Sequence, residues 1–178
     1  SSSERVKTEL DRMRKEVKRH VEELEKELKR LTEKVKRHVE ESKKNAEEIT
    51  RKVEDVRRKP TSEEDLKRII EDLRRNLKEN RDRTERTKED LRREVERLKK
   101  ETEDTKRELE RKLKRLREEK GASEEVLREV TREVTRLREE LDEVNKRVEK
   151  RLEELERELD RSDEEVTRIV EELVDELR

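Results

Sequence analysis

The chain has 178 residues; 54 are Lys or Arg and 55 are Asp or Glu, so 61% is charged while the formal net charge is only -1. Hydrophobic residues supply 24%, Phe, Tyr, Trp and Cys are absent, and Gly and Pro occur once each. These values exclude a β-rich domain built on aromatics and frequent turns, disulfides and thiolate metal sites, and a nucleic-acid surface, which needs a basic stripe or aromatic stacking platforms.

Glu, Lys, Arg and Leu dominate, and all are strong helix formers. Opposite charges are interleaved, which removes the self-repulsion that keeps many highly charged chains disordered. The first predicted helix covers 3–58. Ser3-Glu4 gives it a modest start signal, and Arg57-Arg58-Lys59 places cations where a helix dipole favours them, just before Pro60. Its apolar seam runs Val6, Leu10, Met13, Val17, His20, Leu24, Leu28, Leu31, Val35, His38, Ser42, Ala46, Ile49, Val53, Val56.

The second predicted helix covers 62–119, with Ser62 as N-cap and Glu63, Glu64 and Asp65 in its first turn. Its seam passes through Leu73, Leu77, Asn80, Thr84, Thr87, Leu91, Val95, Leu98, Thr102, Thr105, Leu109, Leu113 and Leu116. Gly121 suits the left-handed position just beyond its end. The third covers 123–177, capped by Ser123 with Glu124 and Glu125 behind it. Its seam runs from Val134 through Leu141, Val148, Leu155, Leu159, Ser162 and Val166 to Leu177. Ser162-Asp163-Glu164-Glu165 looks like another helix start, but the seam continues through it with no breaker ahead, so Ser162 reads as a core serine. Each helix has about 57 residues and a length of about 85 Å. Short connections make sequence neighbours antiparallel. The expected fold is all-α: an antiparallel up-down-up three-helix bundle, with 1–178 as a single domain.

The seams advance in steps of 4, 3, 4, 3 and 4, repeating every 18 residues, and Val-Lys-Arg-His-Val-Glu-Glu occurs at both 17–23 and 35–41. Eighteen residues in five turns is about 3.6 per turn, the natural α-helical value, so the seam calls for almost no supercoil and nearly straight helices. One register serves the whole length. Position 6 faces 116, 20 faces 102, 42 faces 80 and 56 faces 66; then 116 faces 126, 98 faces 144, 80 faces 162 and 66 faces 177.

That register gathers the polar seam residues into layers. Ser42, Asn80 and Ser162 form one; His38 lies with Thr84 and Leu159, and Thr87 follows. The theme recurs 18 residues away with His20, Thr102 and Leu141, then Thr105. Buried polar groups need hydrogen-bond partners, and each has a candidate here. The expected role of this network is to penalise slipped helix pairings. Metal binding is the sharper alternative, but His20 and His38 lie about 27 Å apart along one helix and face Thr and Leu. A pH response through the histidines is a further alternative. Catalysis has little support: there is no phosphate-binding Gly-rich loop and no Cys nucleophile, the seam serines and histidines fall in a packed interior, and paired carboxylates recur as surface partners of Lys and Arg.

No cofactor, nucleic acid or membrane is expected. No apolar run is long enough to span a bilayer, residues 1–20 lack a signal-peptide core, and no targeting signal assigns a location. With one apolar stripe per helix, a monomer is expected. Ile70, Leu127, Ile169 and Val174 widen the stripe near the ends, where they seal the bundle or support weak association. The alternative is an oligomerising or partner-binding coiled-coil module, with the polar layers specifying the second chain.

The near-identical thirds, the Ser-Glu-Glu starts, the 18-residue seam and the matched polar layers together resemble computationally designed, untwisted antiparallel three-helix bundles with buried hydrogen-bond networks. The resemblance covers the whole chain. It implies a scaffold with no natural biochemical activity. Spectrin-like repeats are also three-helix bundles, but they bury aromatics, Trp in particular, and this chain has none.

Overall fold

The computed structural model describes residues 1–178. It contains α1 (Ser2–Arg57), α2 (Glu63–Arg117) and α3 (Glu124–Leu177), with no strand. The three helices pack as an antiparallel bundle.

Serine side chains start all three helices. Ser62 Oγ accepts the Asp65 N–H at 3.2 Å, and Ser123 Oγ accepts the Val126 N–H at 3.2 Å. Such caps each contribute about 1 kcal/mol. At α1 the cap is Ser1, whose Oγ accepts the Glu4 N–H at 3.3 Å, so the start signal belongs two residues before Ser3. Ser2 and Ser3 serve the α2–α3 turn instead. Ser2 Oγ donates to the Lys120 carbonyl at 3.1 Å, and Ser3 Oγ accepts the Ser123 N–H at 3.4 Å.

Gly121 does adopt positive φ, at 91°, but it is not the residue that closes α2. The helix ends at Arg117, and its last turn tightens into a bond from the Glu119 N–H to the Leu116 carbonyl at 3.2 Å. Gly121 lies beyond, inside the turn. Helix α1 ends the same way, with the Lys59 N–H on the Val56 carbonyl at 3.1 Å. Pro60 follows, unable to donate and unable to continue the helix.

Contacts along the chain group it into two compact units: Ser1–Lys29 with Arg93–Arg151, and Arg30–Arg92 with Leu152–Arg178. Each contains a segment of every helix. The core of the first joins Val6, Leu10, Met13 and Val17 to Leu109 and Leu116 and to Val130, Val134, Leu137 and Leu141. That of the second joins Ala46 and Val53 to Leu73 and to Val166, Val170, Leu173, Val174 and Leu177. Here α3 supplies five of the eight buried apolar residues, and α1 and α2 add the buried polar residues Ser42, Asn80 and Thr84. Ile70 and Ile169 pack half-buried against this cluster, and no large hydrophobic side chain is left exposed. Fully burying a Leu or Val contributes about 1.5–3 kcal/mol, so these seams dominate the stability.

Ion pairs flank the seams in constant register. Between α2 and α3 they include Lys99–Glu149 at 2.6 Å and Arg138–Glu110 at 2.8 Å in the first unit, and Arg92–Glu156 and Lys88–Asp160, both at 2.9 Å, in the second. The two residue numbers of every one of these pairs add to the same total, as antiparallel packing requires. Arg14–Glu133 and Arg57–Glu176, both at 3.2 Å, keep a constant difference instead, so α1 and α3 are parallel. Ion pairs at the bundle surface contribute about 0–1 kcal/mol each. They reinforce a register that the seam has already set.

Candidate functional site

His38, Ser42, Asn80, Thr84 and Thr102 are buried polar side chains, and the polar seam to which they belong falls into three places. In the first unit, His20 Nε2 lies 2.8 Å from Thr102 Oγ1. Thr102 is fully buried and His20 half-buried. Thr102 also donates to the Leu98 carbonyl at 3.0 Å. Burial lowers the His20 pKa from its ordinary 6.5, against an opposing pull from Glu101 and Glu23. Thr105 does not join His20. It is half-buried, and its hydroxyl donates back to the Glu101 carbonyl at 3.0 Å, so its polar requirement is met within its own helix.

In the second unit both ring nitrogens of His38 meet threonine. Nε2 lies 3.2 Å from Thr84 Oγ1, and Nδ1 lies 3.3 Å from Thr87 Oγ1. His38 and Thr84 are buried. The His38 pKa is lowered, first by burial and then by the Arg83 guanidinium, with Glu41 and Asp163 pulling the other way.

One layer on, Ser42 Oγ donates to Asn80 Oδ1 at 2.9 Å, and Arg83 Nη2 donates to the same oxygen at 3.2 Å. The Asn80 amide donates across to Asp163 Oδ1 at 2.9 Å. The expected Ser42–Asn80–Ser162 triad is therefore Ser42–Asn80–Asp163. Ser162 is half-buried on the other side of α3, where it lines a cavity with Lys36, Val39 and Glu40 of α1. An ionised carboxylate is also the stronger acceptor for an amide donor. A signal for Asp163 was present in the sequence: α3 carries acids at 142, 149, 156 and 160, and 163 continues that flank.

Each arrangement can donate, accept and discriminate register. No three His, Asp or Glu side chains are gathered where they could hold a metal ion. No helix is long and apolar enough to cross a membrane.

No family model and no curated protein matches the chain. Among solved structures, a computationally designed three-helix bundle is 18% identical, with 99% of this chain and 88% of that chain covered and a TM-score of 0.48.

Proposed function

We propose that this chain is a structural scaffold, of the designed kind its regularity resembles, whose polar layers hold three helices in one register. It acts on no substrate and needs no cofactor. The observation that carries this reading is the pairing of His20 with Thr102, His38 with Thr84 and Ser42 with Asn80 at one constant offset between α1 and α2.

Slippage explains why such layers are useful. A seam made only of Leu and Val tolerates a one-turn slip, since each apolar residue meets another. With the polar layers in place, the same slip sets Asn80 opposite His38 or Ala46 and takes Thr102 away from His20. Each buried group left without its partner costs about 1–3 kcal/mol, and several are lost together. The penalty applies equally to pairing with a second chain. The apolar surface is used within the chain, since no large hydrophobic side chain is exposed, which supports a monomer of 22.0 kDa.

The test is a variant with an apolar second-unit core: His38→Leu, Ser42→Val, Asn80→Leu and Thr84→Leu. The expected result is more than one set of amide resonances, or mass above the monomer by light scattering, without loss of helix content. One set of resonances at monomer mass would overturn the register-specifying role. A wild-type mass at a multiple of 22.0 kDa would favour the oligomerising module.

A further inference from the structure

The two histidine sites look alike but differ in where their threonine protons go. Eight helical threonines, Thr87, Thr102 and Thr105 among them, donate their hydroxyl to the carbonyl four residues back, at 2.8–3.0 Å. Thr84 does not; its hydroxyl bonds to His38 alone. A hydroxyl has one proton. Thr102, having given its proton to Leu98, meets His20 Nε2 as an acceptor, so that nitrogen carries hydrogen. Thr87 has likewise given its proton to Arg83, so His38 Nδ1 carries hydrogen. The remaining His38 nitrogen is then a lone pair, which the free Thr84 proton fills.

From this chain of donors we infer that His20 rests as the Nε2–H tautomer and His38 as the Nδ1–H tautomer, so that acid protonates His20 in place but protonates His38 only after the Thr84 hydroxyl turns away. At His20 the incoming proton goes to Nδ1, and the bond to Thr102 survives. At His38 it must go to Nε2, where it opposes the Thr84 proton. Relief comes when Thr84 rotates its hydroxyl to the Asn80 carbonyl, the bond its fellow threonines already make, and accepts from the new N–H.

The surrounding charges act in the same direction. Around the cavity beside His20, α1 places Glu23, Lys26 and Glu27, α2 places Arg97 and Glu101, and α3 places none. The carboxylates at 23 and 101 favour the charged ring. Around His38, α1 offers Glu41, α2 offers Arg83 and α3 offers Asp163, and the cation at 83 is the largest of these influences. The two units therefore respond to acid in sequence, the first before the second. This deepens the register reading, because it rests on the same histidine–threonine pairs.

Nitrogen-15 spectra of the histidine rings, in the intact protein above neutral pH and then through an acid titration, test it. The expected spectra show hydrogen on Nε2 of His20 and on Nδ1 of His38, and a lower titration midpoint for His38. A Thr87→Val variant, which lacks the acceptor for Nδ1–H, should switch His38 to the Nε2–H form and leave His20 unchanged. The same tautomer in both rings, a His38 midpoint at or above that of His20, or no switch in Thr87→Val would each overturn the inference. Cross-relaxation between each ring and its threonine methyl separates the two claims. If those contacts are present and the tautomers agree, only this inference fails; if the contacts are missing, the register reading fails with it.

Discussion

Asn80 Nδ2 donates to Asp163 Oδ1 at 2.9 Å across the α2–α3 interface, one residue beyond the serine that continues the α3 seam. The bond makes a strong prediction about neighbouring positions. Asp163→Ala leaves a buried amide hydrogen without its acceptor and should cost about 1–3 kcal/mol. Ser162→Ala, which removes a half-buried hydroxyl that makes no bond to Asn80, should change stability by less than about 0.5 kcal/mol. Urea midpoints of the two variants check this, and equal losses would contradict the placement.

Acid should weaken the fold through the histidines. Burial holds both folded-state values below the ordinary 6.5, so in acid the unfolded chain binds more protons than the folded one. Stability from this source is intact above about pH 6.5 and declines as pH falls below it, through the folded values. Urea midpoints at pH 7 and pH 5 should therefore fall further for the wild type than for a His20→Asn, His38→Asn double variant. Equal falls would assign the acid response to carboxylates.

Gly121 should resist substitution. Its φ of 91° lies where a side chain is strained, and an added Cβ would sit 3.2 Å from Ser2 Oγ. Gly121→Ala should destabilise by about 1–2 kcal/mol. Adding Ser2→Gly should recover only a minor part, because the backbone term remains. Thermal melts of the single and double variants measure the split.

Ala46 should accept a larger side chain. It is buried, yet it borders a cavity of about 410 Å³ with Ser42, Ile49, Val166 and Val170. Ala46→Leu should stabilise by about 1 kcal/mol, from the added methylenes removed from water, and should leave the urea slope unchanged. A loss of similar size would show that the cavity cannot take the branched chain without strain.

The limits of a sequence reading appear at particular residues. Pairing between α1 and α2 was legible because a residue on a seam has one possible opposite number once the register is set. His20 with Thr102 and Ser42 with Asn80 followed from spacing alone. Flank positions carry no such constraint. Asp163 shares an acidic flank with 142, 149, 156 and 160, but which acid of that flank reaches Asn80 depends on the rotation of α3 about its axis. Thr105 keeps the seam spacing, yet it is only half-buried and its hydroxyl bonds to the Glu101 carbonyl without reaching His20. The serines at the start of α1 could not be sorted, because the roles of Ser2 and Ser3 depend on a turn 118–120 residues away.

Local chemistry in the sequence thus determined the three helices, their caps at Ser62 and Ser123, and the apolar stripe that each must bury, because these depend on propensity and on a period the chain carries along its own length. Tertiary structure decided which flanking acid reaches Asn80, which threonine keeps its proton for a histidine, and where the Ser2–Lys120 contact closes. Those outcomes depend on distances between helices and on their rotation about their axes, quantities that no single helix encodes.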